Sequence, residues 1–376
     1  MNTNIIGVKI PKEKAQELIS LIKNENNFNS NYKITNKKEQ VIIPIKKITK
    51  SLEDYKIVEL ENPTKQKEHG LSFKEFLKKE GLKEQELKQI PNSYDIVGDI
   101  VIINIENQEV IKNYSKHLET ALKKVNPHIK VVLNKAKEHH GEFRTQDLDW
   151  IAGENRKETI ITENGCKLKT NVEEVFYSTR LATERKRIAK LVKENEVVGV
   201  FFAGVGPFAI GIAKLAKPKE VVAIELNPTG VKYLIENIKL NKLEGKVIPV
   251  LGDVKKVSKK YKDYFDRIPM PLPKSAEMFL DSAIYSCKDK GIIHTYNFVS
   301  KNNPFEKIEK ILKEKEKENK VKLKIINKQV IRSFSPAVVQ IVMDIMVCKK
   351  WIFIFMNFVI YFMIKYIKNK SNNLYF

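Results

Sequence analysis

The second half of this chain alternates apolar runs with helical patterns, and that alternation limits the possible folds more than any other feature. From residue 183 onward, helical segments such as "GVKYLIENIKLNK" separate short runs rich in β-branched residues, such as "EVVGVFF" and "EVVAIEL". Strands that alternate with helices of this length form parallel β-α-β units. The sequence therefore predicts an α/β domain with a doubly wound sheet over residues 166–349.

The first half of the chain predicts two smaller α+β domains. A strand and a helix in "IIGVKIPKEKAQELISLIKNENNF" precede two short strands around a polar turn, which predicts a β-α-β-β domain with its linker over residues 1–62. Strands in "SYDIVGDIVIINI" and "HIKVVLN", with a helix over 107–125 between them, predict a middle domain over residues 63–165.

The last residues, 350–376, form an apolar and basic extension that the predicted sheet does not need. A helix over residues 351–364 would be about 21 Å long, which is short of the roughly 30 Å hydrocarbon core of a bilayer. We therefore expect an incidental extension of doubtful role in preference to a membrane anchor.

Charge and cysteine content narrow the functional class. The chain has 68 Lys and Arg against 46 Asp and Glu, a net charge of +22, which favours a polyanionic partner such as nucleic acid. A Lys-rich composition from an AT-rich genome is the alternative explanation. The three cysteines have no C-x-x-C spacing, so they favour neither a disulfide framework nor a zinc site, and we expect no metal and a cytoplasmic location.

A glycine loop follows one of the apolar strands, in "FFAGVGPFAIGIAK". Gly204 and Gly206 lack a Cβ atom, so the backbone can turn sharply and a ligand can approach it closely. Glu225 ends the next strand, where a carboxylate can accept hydrogen bonds from two ribose hydroxyls. The alternative for Glu225 is a solvated acid at a strand end. Nucleotides bind at this edge of a doubly wound sheet, so we expect a nucleotide site here.

The next two strands separate the candidate nucleotides. Asp253 follows the strand in "KVIPVL", where an acid can accept a hydrogen bond from an adenine amino group, and Pro271-Leu272-Pro273 interrupts the chain after the fourth strand. This order is the layout of a class I S-adenosylmethionine-dependent methyltransferase with a Rossmann-like sheet. A nicotinamide-dependent oxidoreductase remains an alternative, because the loop also satisfies G-x-G-x-x-A.

Five phrases together resemble one family: "GEFRTQDLDWIAGENR", "FYSTRLATERKRIA", "FFAGVGPFAIGIAK", "AIELNPTGVKYLIENIKLNKLEGKVIPVLGDV" and "RSFSPA". The chain is similar, over about residues 1–348, to the archaeal and eukaryotic tRNA (guanine-37 N1)-methyltransferases. The resemblance implies methyl transfer from S-adenosylmethionine to N1 of the guanosine beside the anticodon. It also implies that the N-terminal domain contacts the outer corner of the tRNA.

The chemistry at N1 requires a base, because this nitrogen is protonated in neutral guanine, and a donor that holds the negative charge developing on O6. The resemblance assigns Glu184 as the general base and Arg144 as the O6 donor. The alternative for Glu184 is a residue that stabilises the start of its helix. The alternatives for Arg144 are a phosphate contact and a salt bridge within its loop.

The resemblance also assigns residues around the cofactor and the substrate. Those expected at the cofactor are Tyr177, Arg185, Phe202, Gly204, Gly206, Pro207, Glu225, Leu226, Asp253, Val254 and Pro271. Arg185 is expected to reach the methionine carboxylate, and Arg180 is expected beside the substrate with Arg144. The chain departs from the family at Val200, where an acid is common, and at Pro271, where many members have Asn.

Two further functions remain open at this point. A sister family transfers an aminocarboxypropyl group from the same cofactor during wyosine synthesis, and related enzymes methylate a wyosine intermediate. A tRNA-binding protein without catalytic activity is the other alternative, because of Val200 and Pro271. In each case the expected partner is tRNA, without an obligate protein partner, and we expect a monomer.

Overall fold

The computed structural model describes residues 5–37, 39–60, 63, 71–136, 141 and 143–349. Two compact units divide the chain, residues 1–82 and residues 83–376. The domain limits set from the sequence, 1–62, 63–165 and 166–349, stay predictions. The predicted extension over 350–376 and residues 137–140, which hold His139 and His140, lie outside the described residues.

In its described residues, the first unit contains one antiparallel sheet and two α-helices. Its elements are β1 (Ile6–Pro11), α1 (Ala15–Asn24), β2 (Thr35–Lys37), β3 (Gln40–Pro44), β4 (Lys56–Glu59) and α2 (Phe73–Lys79). The strand order is β2-β3-β1-β4, and α1 packs on this sheet through Leu18 and Ile22. The predicted β-α-β-β order is present. The sequence prediction missed β4 because only Ile57 and Val58 are apolar in its four residues.

The second unit begins with a four-stranded sheet and a hairpin. Its first elements are α3 (Glu84–Gln89), β5 (Asp95–Val97), β6 (Ile100–Ile103), α4 (Gln108–Val125), β7 (Val131–Lys135) and β8 (Leu148–Gly153), followed by the hairpin strands β9 (Glu158–Glu163) and β10 (Cys166–Asn171). The four strands lie in the order β5-β6-β7-β8, and α4 connects the parallel pair β6 and β7. The limit predicted between residues 165 and 166 falls at the turn of the hairpin.

A seven-stranded sheet and its helices form the remaining described residues of this unit. Its elements are α5 (Ala182–Leu191), β11 (Val197–Phe201), α6 (Pro207–Leu215), β12 (Glu220–Glu225), α7 (Pro228–Leu240), β13 (Val247–Leu251), α8 (Val254–Val257), β14 (Phe265–Met270), α9 (Leu280–Ser286), β15 (Cys287–Ser300), α10 (Glu306–Asn319), β16 (Lys322–Ser333) and β17 (Val338–Cys348). The order is β13-β12-β11-β14-β15-β17-β16, with five parallel strands and the antiparallel β17 and β16. The predicted doubly wound α/β fold is confirmed.

The strand order places a crevice at the end of β11. The chain runs outward from β11 through β12 to β13, and it then returns to β14 on the other side of β11. At such a switch point the loops after two neighbouring strands separate, and a ligand can enter between them. All five residues of β11 are buried, and Val200 is fully buried. The loop that follows β11 therefore starts from a rigid support.

Candidate functional site

The two glycines of the loop after β11 have different surroundings. Both have positive φ angles, +56° at Gly204 and +92° at Gly206. A Cβ atom on Gly206 would lie 2.5 Å from Leu234 Cδ1, whereas a Cβ atom on Gly204 would have only Phe176 O nearby, at 3.8 Å. Gly206 thus permits the loop to pack closely against Leu234 of α7, and Gly204 leaves space for a ligand.

A cavity of about 560 Å³ opens beside Gly204 at the carboxyl ends of the strands. Eight of the residues predicted for the site line it: Arg144, Phe202, Gly204, Glu225, Leu226, Asp253, Val254 and Pro271. We call this space the first cavity. Gly206 and Pro207 do not line it, and their role at the cofactor stays a prediction.

The Glu225 carboxylate joins the strand end to the glycine loop. Its Oε2 accepts a hydrogen bond from the Gly204 N–H at 2.7 Å, and its Oε1 accepts one from the Asn227 N–H at 2.8 Å. Burial raises the pKa of Glu225, while the backbone donors oppose that change. The carboxylate is therefore fixed at the wall of the first cavity, and its contact with ribose hydroxyls stays a prediction.

The opposite part of the first cavity has an acid and aromatic rings. Asp253 precedes the short helix α8, and its Oδ1 accepts a hydrogen bond from the Lys255 N–H at 2.9 Å. The rings of Phe202 and Phe279 meet edge to face, with centroids 4.7 Å apart. Phe279 also lines the cavity. The sequence analysis missed Phe279, because it follows the proline segment in a 3-10 turn without a recognisable pattern.

A second cavity, of about 600 Å³, adjoins the first and lies between the β5–β8 sheet and the large sheet. Both cavities are lined by Arg144, Val175, Phe176, Pro271 and Lys274. The guanidinium carbon of Arg144 lies 4.4 Å from the centroid of the Phe176 ring, and burial lowers the pKa of this arginine. A ligand bound in the second cavity can therefore approach a ligand bound in the first cavity beside Arg144.

Arg180 and Tyr177 lie at the second cavity and not at the first. Arg180 forms an exposed ion pair with Asp95, with 2.6 Å between Nη2 and Oδ1. The Tyr177 hydroxyl donates to Glu163 Oε2 at 2.7 Å. The expected role of Arg180 beside the substrate and the expected role of Tyr177 at the cofactor both stay predictions.

Arg185 is buried and lines neither cavity. Its Nε donates to Glu163 Oε1 at 2.6 Å, and its Nη2 donates to the Ser178 carbonyl at 2.9 Å. The guanidinium also lies over the Tyr177 ring, 5.2 Å from its centroid. Because Glu163 pairs with this guanidinium, contact with a methionine carboxylate requires a rearrangement and stays a prediction.

Glu184 is also buried, with 4% exposure, and lines neither cavity. Its Oε2 accepts from Arg187 Nε at 2.8 Å, while its Oε1 accepts from Arg187 Nη2 and from the Tyr296 hydroxyl, each at 2.8 Å. Arg187 in turn donates from Nη1 to Asp344 Oδ2 at 2.7 Å. In this structure the proposed general base belongs to a buried ion-pair network.

The network continues across the sheet. His294 Nδ1 donates to Asp344 Oδ1 at 2.6 Å, and His294 Nε2 accepts from Arg267 Nη1 at 2.8 Å, because an arginine can only donate. Arg267 pairs with Glu196 at 2.8 Å. Burial lowers the pKa of His294 against the opposing effect of Asp344. Burial favours neutral Asp344, but hydrogen bonds from His294 and Arg187 hold its pKa well below the usual range.

The described residues lack two kinds of feature. They contain no group of three or more His, Cys, Asp or Glu side chains arranged to hold a metal ion. None of the helices in the described ranges is long and apolar enough to cross a membrane.

The position of the first cavity identifies the class of protein. Class I S-adenosylmethionine-dependent methyltransferases bind their cofactor at the switch point of a doubly wound sheet, between a glycine loop and acids that end the neighbouring strands. The fold and the first cavity place this chain in that class.

Family models match three successive stretches of the chain. They are the tRNA methyltransferase 5 N-terminal domain at residues 7–53, the TYW2 N-terminal domain at 73–156 and the TRM5/TYW2 methyltransferase domain at 159–324. The tRNA (guanine(37)-N(1))-methyltransferase Trm5b of Pyrococcus abyssi is 38% identical over 90% of this chain and 98% of its own length. This chain belongs to the Trm5 family of tRNA (guanine-37 N1)-methyltransferases.

Solved structures agree with this assignment over most of the chain. The crystal structure of Pyrococcus abyssi Trm5b has a TM-score of 0.66 and covers 91% of this chain and 99% of that chain. A complex of aTrm5 with tRNALeu, 34% identical, has a TM-score of 0.64 and covers 92% of this chain and 100% of that chain.

A wyosine-pathway relative matches less of the chain. The tRNA(Phe) (4-demethylwyosine(37)-C(7)) aminocarboxypropyltransferase of Methanocaldococcus jannaschii is 37% identical over 67% of this chain and 96% of its own length. A third of this chain thus has no counterpart in that enzyme, whereas the Trm5b match extends over nearly all of it. The wyosine-pathway alternative is therefore not favoured.

Proposed function

We propose that this chain transfers a methyl group from S-adenosylmethionine to N1 of guanosine 37 in tRNA. The observation that carries this proposal is the pair of adjoining cavities that share Arg144 and Pro271. One cavity lies where the fold binds a nucleotide cofactor, and the other is rich in cationic and aromatic side chains suited to RNA. The Trm5 relatives, which match nearly the whole chain, carry this activity in their names.

The first cavity fits S-adenosylmethionine, which supplies an electrophilic methyl group on a sulfonium when bound. The bare backbone at Gly204 leaves room for the ligand, and Glu225 presents a fixed carboxylate for ribose hydroxyls. Asp253 lies beside Phe202 and Phe279, which can contact the adenine ring. These residues bind and orient the cofactor.

Arg144 holds the target base in the second cavity. Its guanidinium is oriented by the Phe176 ring and donates hydrogen bonds to guanine O6. As the N1 proton leaves, negative charge develops on O6, and the partly desolvated Arg144 stabilises it more strongly than water would. The N1 lone pair then attacks the methyl carbon, and the electron pair of the broken C–S bond remains on sulfur.

Glu184 accepts the proton from N1. Residues 179–181 line the second cavity, and the helix α5 begins directly after them. Glu184 therefore lies within one helical turn of the residues that line this cavity. Because Arg187 and Tyr296 hold its carboxylate in this structure, the role requires the side chain to turn towards the base when tRNA binds.

Single-turnover transfer of labelled methyl from S-adenosylmethionine to an unmodified tRNA transcript tests the function. We expect transfer to guanosine 37, none to a transcript with adenosine 37, and a loss of about 100-fold or more in Glu184→Gln. Glu194→Gln, an exposed change just beyond the same helix, is the matched control and keeps the wild-type rate. Binding of tRNA without transfer would instead support an inactive tRNA-binding protein.

A further inference from the structure

The motif "RSFSPA" has no role in the reaction described above, yet two of its residues, Arg332 and Phe334, line the second cavity. Phe334 lies in the turn between β16 and β17 and is 56% exposed. Its ring contacts that of Phe298, with centroids 4.4 Å apart. The Phe334 N–H donates to the Val338 carbonyl at 2.9 Å, and so does the Ser335 N–H at 3.1 Å. A closed turn therefore holds this exposed aromatic ring in place.

Arg332 brings a positive charge to the same wall. Its Nε donates to Oε1 of Gln340, a buried amide, at 2.7 Å, and its guanidinium carbon lies 5.9 Å from the centroid of the Phe334 ring. Within the described ranges, no carboxylate forms an ion pair with Arg332 or with Lys274. Burial lowers the pKa of Arg332, the charge of Arg180 adds to that effect, and the charge of Asp95 opposes it. An anion at this wall would offset both the burial of the Arg332 charge and its repulsion by Arg180.

This wall belongs to the cavity proposed to receive the target base. Arg332, Phe334 and Phe298 line it together with Arg144 and Pro271. The Phe298 N–H donates to the Pro273 carbonyl at 2.9 Å, so the aromatic pair is joined to the proline turn that separates the two cavities. A nucleotide strand with one base at Arg144 would therefore bring a neighbouring nucleotide close to Phe334.

We propose that Phe334, supported by Phe298, and Arg332, with Lys274, form a subsite for the RNA nucleotide adjacent to the methylated guanosine. The base of that nucleotide stacks on Phe334, and its phosphate accepts hydrogen bonds from Arg332 and Lys274. Extruding a target base leaves its neighbours unstacked, and aromatic side chains with nearby cations are the usual binding sites for such bases. This inference rests on the proposed function.

Affinity of the full chain for an unmodified tRNA transcript tests the stacking. Phe334→Ala should weaken binding roughly 5- to 100-fold, the range for one lost base–aromatic stack, and Phe334→Trp should restore it. Tyr285→Ala, which removes a similarly exposed ring on α9 outside both cavities, should bind as the wild type does. Equal affinities for Phe334→Ala and the wild type would overturn the stacking.

Transcripts with an abasic nucleotide at position 36 or at position 38 identify the stacked base. On the transcript that lacks this base, Phe334→Ala should cause no further loss, because the interaction is already absent. On the other transcript the full loss should remain. If Phe334→Ala weakens the binding of both abasic transcripts as much as that of the complete transcript, neither base stacks on Phe334 and the proposal fails.

The salt dependence of binding tests the phosphate contact. Arg332→Gln should reduce the slope of log affinity against log salt by about 0.7 to 1, the value for one lost contact. Lys324→Gln removes the same charge from the exposed part of the same strand, outside both cavities, and should leave the slope unchanged. Equal slopes for Arg332→Gln and Lys324→Gln would overturn the phosphate contact.

Two measurements separate this inference from the proposed function and from misfolding. Thermal midpoints and S-adenosylmethionine affinities equal to those of the wild type show that a variant is folded. If the wild type binds tRNA but transfers no methyl group, the proposed function fails, and the binding series still decides on the subsite. If the wild type methylates guanosine 37 while both substitutions bind normally, only the subsite is wrong.

Discussion

Gly204 and Gly206 show how two identical residues in one loop can serve different purposes. Each has a backbone conformation in the left-handed region, where other residues are strained. Only Gly206 lies against neighbouring side chains, those of Leu234 and Ile210, whereas Gly204 lies at the wall of the first cavity. The loop therefore combines a packing requirement with a binding requirement.

The two alanine variants should separate these requirements. Gly206→Ala adds a contact with Leu234 to its backbone strain, so we expect a loss of about 2–4 kcal/mol in the free energy of unfolding. Gly204→Ala should lose about 1–2 kcal/mol, the backbone strain alone, and bind S-adenosylmethionine more weakly. Urea unfolding and equilibrium dialysis measure the two effects. Equal losses of stability in both variants would contradict this division.

At the scale of elements, the buried ion-pair network joins the helix α5 to four strands of the large sheet. Arg187 comes from α5, Arg267 from β14, His294 from β15 and Asp344 from β17. Asn327 of β16 adds a donor to Asp344 Oδ2 at 3.0 Å. The network thus fixes the helix that carries Glu184 relative to the sheet.

Asp344→Asn tests the contribution of this network to stability. The change removes the carboxylate shared by Arg187 and His294 and leaves a buried arginine with less compensation, so we expect a loss of about 3–5 kcal/mol. Asp281→Asn is the control: its ion pair with Lys315 is half exposed on the Asp side, and we expect a loss below about 1 kcal/mol. Chemical denaturation measures both, and similar losses would contradict the prediction.

The pH dependence of stability should report on His294. Burial lowers its pKa in the folded state, so the folded state prefers the neutral imidazole, whereas the unfolded chain takes up a proton below its pKa of about 6.5. The stabilisation that comes from neutral His294 is therefore present above about pH 6.5 and is lost as the pH falls. We expect a loss of at most about 2 kcal/mol between pH 7.5 and 5.

His294→Gln is the control for this prediction, because glutamine does not titrate. The loss of stability between pH 7.5 and 5 should be smaller in that variant than in the wild type, as measured by urea unfolding at both pH values. Asp344, whose pKa is also lowered, contributes only below about pH 4 and does not interfere in this range. An identical pH dependence in the two proteins would refute the assignment.

At the scale of the whole molecule, the net charge of +22 distinguishes the two ligands of the proposed reaction. A tRNA releases bound counterions when basic residues replace them, whereas S-adenosylmethionine is small and has little net charge. The affinity for tRNA should therefore depend steeply on ionic strength, and the affinity for the cofactor should not.

Raising the salt concentration from 50 to 200 mM should weaken tRNA binding at least about tenfold. Over the same range the S-adenosylmethionine affinity should change less than about twofold, because its contacts lie inside the first cavity. Fluorescence titrations with each ligand measure both effects. A tRNA affinity that does not depend on salt would show that the positive charge is not used for RNA binding.

Local patterns in the sequence determined the class of fold and part of the candidate site. The alternation of strands and helices, the glycine loop and the acids after two strands follow rules that act over a few residues. These rules predict that Gly204, Glu225 and Asp253 lie at one edge of the sheet, and all three line the first cavity. The weakly patterned strand β4 was missed, because tertiary pairing with β1 outweighs its composition.

Only the tertiary structure decided which side chains distant in the chain contact one another or line the same cavity. Arg187 and Asp344 are 157 positions apart, yet their hydrogen bond places Glu184 in a buried network, and Arg332 and Phe334 reach the cavity of Arg144 across a similar separation. No local pattern encodes such contacts, since they depend on which strands become neighbours and on the direction of each side chain. The sequence by itself therefore determined the elements and the cofactor edge, and packing decided the partners of the catalytic candidates.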